Sequence, residues 1–153
     1  MQGSIEPFFY HIYNQNHIMA AGKYNFTIEQ GATLDFEIRY KDGTGTAVDL
    51  SGYTGKMQIR SNYSGSGSTY LTLTSSLGDT YTKSSSSLFL SFSGSDLNNP
   101  PTSGSIGVYI GWYHTNTLNY ISPAYYDLEI TAADSTKTRI IEGKINLSRQ
   151  VTD

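Results

Sequence analysis

The side chains that titrate nearest neutral pH are the natural place to look for chemistry, and this chain of 153 residues has three of them: His11, His17 and His114. Their spacing does not match the His-x-x-x-His pattern that sets two imidazoles on one face of a zinc-protease helix. The carboxylates Asp127 and Glu129 share the outward face of one predicted strand, and Glu142 shares the outward face of the next. Paired carboxylates are the machinery of glycoside hydrolysis. Here they also read as solvated sheet charges, opposite Lys144 and near Arg139. Cysteine is absent, which excludes disulfides and thiolate metal sites. No serine stands in a Gly-x-Ser-x-Gly elbow. Gly43-Thr44-Gly45 and Gly65-Ser66-Gly67 lack the lysine of a phosphate-binding loop. The expectation is a protein without a catalytic residue, a cofactor or a metal.

Aromatic residues are the richer signal. Tyrosine occurs 13 times, and the sole tryptophan, Trp112, lies in Ile106–Tyr113 with Tyr109 and Tyr113, with Tyr120 shortly after. One reading is an ordinary strand with Trp112 in the core. The other is an aromatic contact strip of Tyr109, Trp112, Tyr113 and Tyr120, a surface for another subunit or a stacking platform, since Tyr and Trp are favoured where an apolar body meets a polar rim.

The elements that must position these residues are short strands. Tyr126–Thr131 and Ile141–Ser148 alternate apolar and polar residues with period two. They form a hairpin around the small, polar loop Ala132–Lys137. Leu128, Ile130, Ile145 and Leu147 are expected to be buried. A two-stranded ribbon is marginal alone, so a second sheet must cover it. Further strands are predicted around Tyr24–Ile28, Leu34–Tyr40, Met57–Arg60, Leu71–Leu73 and Leu88–Phe92. Turns are predicted at Lys41–Gly45 and at Asp49–Gly52, where Asp49 can bond its own backbone. Ser95–Asn98 has room for one helical turn at most, and no helical period of useful length occurs. The class is all-β, an immunoglobulin-like antiparallel β-sandwich.

The division into parts is expected as follows. Residues 1–22 form an amino-terminal arm, residues 23–153 the sandwich, and residues 99–123, bracketed by prolines, an inserted or irregular segment. In the arm, the run Phe8-Phe9-Tyr10-His11-Ile12-Tyr13 does not alternate. Two readings stand: Phe8, Phe9, Tyr10, Ile12 and Tyr13 bury themselves against a neighbouring subunit, or the segment is an extra edge strand on its own domain. With 15% charged residues and a net charge of −3, the chain lacks the clustered cations that nucleic acid requires. No run is long and apolar enough to span a bilayer. The start lacks the order of a secretory signal, so synthesis in a cytoplasm is expected, and the Asn-x-Ser/Thr matches at Asn25, Asn62 and Asn146 are read as chance.

Four segments, in this order, resemble a known family: Tyr24–Thr33, Asp49–Thr54 running into Met57–Arg60, Tyr126–Ile130, and Gly143–Ser148 through Val151-Thr152. The chain looks like the small virion structural proteins of tailed bacteriophages, many of them from cyanobacterial phages. It is similar also to the amino-terminal immunoglobulin-like domain of phage baseplate upper proteins. The resemblance implies a non-enzymatic module docked in a tail, baseplate or neck, or decorating a capsid, as an oligomer with other virion structural proteins and without nucleic-acid or membrane partners. The arm is an addition to the family pattern and suggests a docking device of its own. The alternative class is a carbohydrate-binding or adhesin module, with Trp112 and its tyrosines stacking on sugar rings beside Asn116 and Asn119.

Overall fold

A computed structural model describes residues 9–14, 21–63, 67–76, 80–121 and 123–152, with 9–14 described through their backbone. Among the described residues ten strands occur in the order β1 (Phe9–Asn14), β2 (Gly22–Lys23), β3 (Phe26–Glu29), β4 (Leu34–Asp42), β5 (Thr54–Arg60), β6 (Thr69–Ser75), β7 (Leu88–Ser91), β8 (Ser105–Ile110), β9 (Ala124–Thr131) and β10 (Lys137–Ser148). A 3₁₀ turn spans Pro101–Ser103, and a one-turn helix, α1, spans Trp112–Asn116.

One sheet has the order β1-β4-β8-β7; the other runs β2-β10-β9-β5-β6, with β3 also on β10. The succession β10-β9-β5-β6 facing β4-β8-β7 is that of strands G-F-C-C′ against B-E-D, so the chain is an immunoglobulin-like sandwich. The expected hairpin forms the centre of the larger sheet. β9 and β10 pair antiparallel, with a register shift between Arg139 and Ile141. This bulge buries two successive side chains, Ile140 and Ile141, because the extra residue breaks the alternation. Leu128, Ile130 and Ile145 are buried as expected, whereas Leu147 is half-buried against the core edge. Across the interface, Leu34, Phe36, Ile38 and Tyr40 of β4 and Ile106, Val108 and Ile110 of β8 supply the covering layer.

β8 is an inner strand of its sheet, paired with both β4 and β7. The segment 99–123, expected to be inserted or irregular, therefore holds a structural strand of the sandwich, and only its two ends are loop, turn and helix. The outer face of this sheet is covered too. The chain after β7 folds back over β8, and an added Cβ at Gly107 would stand 2.5 Å from the Gly94 carbonyl oxygen. Buried Glu37 holds that crossing down: its carboxylate accepts from the Ser95 backbone N–H (3.0 Å) and from Arg39 Nε (2.9 Å). Covering on both faces explains why every residue of β8 is buried. On the larger sheet, the edge beside β10 breaks between β2 and β3. There the Asn25 side chain accepts from Lys144 N–H at 2.8 Å, and Tyr126 donates to the Tyr24 carbonyl at 2.7 Å.

Candidate functional site

The four residues of the expected aromatic strip divide into two pairs. Tyr109 is buried on the outer face of the smaller sheet. Its ring stacks on Phe89 at 5.3 Å, and Phe89 stacks on Tyr81 at 4.5 Å. Lys83 lies 5.8 Å over the Tyr109 ring and pairs with Asp35 at 2.7 Å. Tyr120 is buried as well, stacked on Tyr70 at 5.1 Å. Its hydroxyl has no hydrogen-bond partner among the described residues, and burial pushes the phenol well above its ordinary range.

Trp112 and Tyr113, by contrast, stand 46% and 56% exposed, side by side at 6.4 Å. The reading with Trp112 in the core is therefore corrected: β8 stops at Ile110, and Gly111, extended, is the N-cap of α1. One helical turn sends Trp112, Tyr113 and Asn116 outward and leaves the inward position to Thr115, which is fully buried. The Thr115 hydroxyl donates to the Ala32 carbonyl (2.9 Å) and accepts from Gly31 N–H (3.0 Å), which fixes α1 to the β3–β4 turn. Of the two asparagines expected beside the aromatic pair, both are exposed, and Asn116 accepts a bond of 2.8 Å from Gln150.

The other half of α1's anchorage is the serine loop. The Ser84 carbonyl accepts from the Tyr109 hydroxyl, Ser85 from Tyr113 N–H, Ser86 bonds His114 Nε2, and Ser87 accepts from Gly111 N–H. A Cβ at Gly111 would run into the Ser85 carbonyl oxygen. His114 is thus engaged with a backbone carbonyl, and Tyr109 and Gly111 shape a loop. Nothing in the alternation of this segment signalled that role.

The arm residues Phe9, Tyr10, Ile12 and Tyr13 fall in β1, which pairs in parallel with β4 from Phe9 opposite Glu37 to Asn14 opposite Asp42. The backbone thus adds an edge strand to its own domain. The expectation that these side chains, with Phe8, bury themselves on a neighbour concerns side chains outside the described residues.

Two carboxylates of the larger sheet, Asp127 and Glu142, are paired with cations. Arg139 lies 3.4 Å from Asp127 and 3.1 Å from Glu142, and Lys23 also pairs with Glu142. Lys23, followed by Arg139, holds the Glu142 carboxyl below its ordinary range, whereas burial raises that of Asp127. Among the described residues no group of three histidine, cysteine or acidic side chains is placed to hold a metal. No helix there is long and apolar enough to cross a membrane.

A second aromatic pair was overlooked in the sequence. Tyr63, 61% exposed, packs on Tyr125 at 4.3 Å with the rings tilted by 45°. A cleft of about 30 Å³ beside them is lined by Gln58, Arg60, Asn62 and Asp127. Tyr63 stands in a Gly/Ser-rich stretch that reads as bare loop, so only the strand register reveals the pairing.

What fold and site define together is an immunoglobulin-like sandwich that shows two aromatic pairs to solvent, one on α1 and one beside β9. No protein-family model matches the chain, and no curated protein matches it. Among solved structures, the N-terminal domain of phage TP901-1 ORF48 is similar over 91% of this chain and 97% of that one, with 7% identity and a TM-score of 0.42.

Proposed function

We propose that this chain is a non-enzymatic structural component of a bacteriophage particle, held by subunit contacts at the tail, baseplate or neck, with capsid decoration as a variant. It is made in the host cytoplasm and works in the virion beside other structural proteins. The observation that carries the reading is where the four family-like segments fall. They contain β3, β5, the middle of β9 and the end of β10, which are neighbours in one sheet in the order β3-β10-β9-β5. Matches scattered over unrelated surfaces would mean little. Family-like segments that lie side by side in one sheet support reading them as one unit. The chemistry agrees: Asp127 and Glu142 sit in ion pairs and His114 on a backbone carbonyl.

One observation favours a second reading, the carbohydrate-binding or adhesin module: Trp112 and Tyr113 are adjacent and half-exposed. The same exposure suits a subunit contact, for which large rigid aromatics are effective anchors. The deciding experiment is to locate the protein's density in an intact particle. Density at the tail, baseplate, neck or capsid surface supports the structural reading. Absence of the chain from purified particles overturns it. Saturable quenching of Trp112 fluorescence by a host polysaccharide would move the assignment to the adhesin.

A further inference from the structure

Strand register fixes which loops share an end of the sandwich. β4 begins at Leu34 opposite Ile110, the last residue of β8, which stands opposite Leu88, the first of β7. β3 and β10 finish side by side at Glu29 and Ser148, and β5 finishes at Arg60 opposite Tyr125, near the start of β9. The turn 30–33, the hairpin loop 61–68, the serine run 84–87, the segment 111–123 and the chain after β10 therefore meet at one end. Five large hydrophobic side chains are exposed among the described residues, Tyr63, Trp112, Tyr113, Ile121 and Val151, and all five belong to this end. The loops 43–53, 92–104 and 132–136 form the opposite end and expose none among the described residues.

Charge divides the same way. The segments 30–33, 61–68, 84–87 and 111–123 contain no Asp, Glu, Lys or Arg. The opposite end carries four aspartates, Asp42, Asp49, Asp96 and Asp134, each accepting a backbone N–H of its own turn. Aromatic enrichment together with charge depletion is the composition of an interface core, not of a solvated loop surface.

We infer that the uncharged end is a docking surface for a second copy of this chain, the two copies related by a two-fold axis. Two features select a second copy. First, the loops of this end carry no charge, so two like ends meet without repulsion although the whole chain has a net charge of −3. Second, the rim is complementary to itself. Glu29 and Arg149 are exposed at the ends of the adjacent strands β3 and β10, and neither forms an ion pair among the described residues. A two-fold contact is isologous, so Glu29 of each copy meets Arg149 of the other. Other charges that border this end are engaged within the chain. Lys83 pairs with Asp35 at 2.7 Å, Arg60 donates to the Gly67 carbonyl at 3.1 Å, and Lys144 stands over the Tyr125 ring. The contact thus has an apolar, aromatic centre and a charged rim, the usual anatomy of a protein interface. The inference stands apart from the particle role.

The test is sedimentation velocity of the full chain from about 1 µM to about 1 mM, the range in which a weak contact titrates. A concentration-dependent dimer is expected. Tyr113→Lys, at an exposed position, should weaken it at least tenfold, and Lys137→Ala at the opposite end should leave it unchanged. Glu29→Arg and Arg149→Glu should each weaken self-association. An equimolar mixture of those two variants should recover it, because each then meets the opposite charge across the two-fold. Circular dichroism of each variant like that of the parent shows that the fold is kept. A chain that stays monomeric up to about 1 mM overturns the inference. A dimer indifferent to Tyr113→Lys, or a mixture that associates no better than either variant alone, overturns it as well.

Discussion

The hydroxyl of Tyr109 donates a 3.0 Å hydrogen bond to the carbonyl oxygen of Ser84, a residue 25 positions earlier in the chain. That bond is the first of a consecutive set, since the carbonyls of Ser85, Ser86 and Ser87 are met by Tyr113, His114 and Gly111. A low-complexity serine run thereby becomes a defined strap over the end of β8. Tyr109→Phe keeps the ring stack on Phe89 and removes only the donor. A single lost bond next to solvent should lower stability by about 0.5–1.5 kcal/mol in chemical denaturation. Faster hydrogen exchange at the amides of Gly111 and Tyr113 should accompany it, and unchanged exchange there would show that the strap does not act as a unit.

Gly143 marks a tighter constraint. Its position in β10 passes so near the Tyr24 carbonyl that a Cβ would run into it. Gly143→Ala should therefore push the β2–β3 edge away from β10, with a cost of about 1–3 kcal/mol from overpacking. The measurement is a denaturation midpoint, with amide exchange at Lys144 reporting whether its bond to Asn25 is lost.

Ile145→Ala tests the core itself. Ile145 is fully buried in the central hairpin, and removing its branched side chain should cost about 2–5 kcal/mol. Leu147→Ala should cost clearly less, because Leu147 is only half-buried. Equal losses at the two positions would mean that the edge of the sheet is better packed than its exposure indicates.

The contrast between those two residues shows what the sequence could convey. Period-two alternation placed β4, β5, β9 and β10 and named most of the core, because each of those strands turns apolar side chains to the core and polar ones away from it. The Asx turn at Asp49 was legible too, and Ser51 N–H does bond that carboxylate at 2.8 Å. In β8 the alternation of Val108 and Ile110 with Gly107 and Tyr109 is consistent with a strand, but it does not convey that the outer face is buried as well, under the Gly94–Ser95 crossing. Alternation failed at Ile140, where a bulge buries consecutive residues. Trp112 was misread because local apolarity cannot distinguish a strand's last residue from the first residue of a one-turn helix. The Tyr63–Tyr125 cleft depends on register between segments 62 residues apart, which no local pattern encodes.

Acid should destabilise the fold, and the sign follows from the carboxylates. Hydrogen bonds from Thr44, Ser51 and Thr136 lower the pKa values of Asp42, Asp49 and Asp134, and Lys23 lowers that of Glu142. A depressed folded-state pKa contributes stability that is present above the unfolded value and lost as pH falls through the folded one. The loss should begin as pH drops below the ordinary values of 3.8 and 4.5. Asp127 acts in the opposite sense, because burial raises its pKa; its contribution is present at low pH and lost as pH rises through the folded value. Melting temperature against pH should therefore fall less steeply in Glu142→Gln and more steeply in Asp127→Asn than in the parent chain. The reverse order would contradict both assignments.

Helix α1 separates a residue that holds the fold from residues that are turned to solvent. Thr115 is fully buried and bridges Ala32 and Gly31 through one hydroxyl. Thr115→Val keeps the shape and leaves the Gly31 N–H and the Ala32 carbonyl without that partner, which should cost about 1–3 kcal/mol. Trp112, three residues earlier, is half in solvent. Trp112→Ala should change stability by no more than about 0.5 kcal/mol, and Trp112 in the parent chain should emit at long wavelength and be readily quenched by acrylamide. If the α1 face is a subunit contact, Trp112→Ala will fold like the parent yet incorporate poorly into particles, while Thr115→Val will lose stability first and incorporation only in proportion. A tryptophan that emits at short wavelength and resists quenching in the isolated chain would place Trp112 inside, and with it would fall the assignment of α1 as an outward-facing contact.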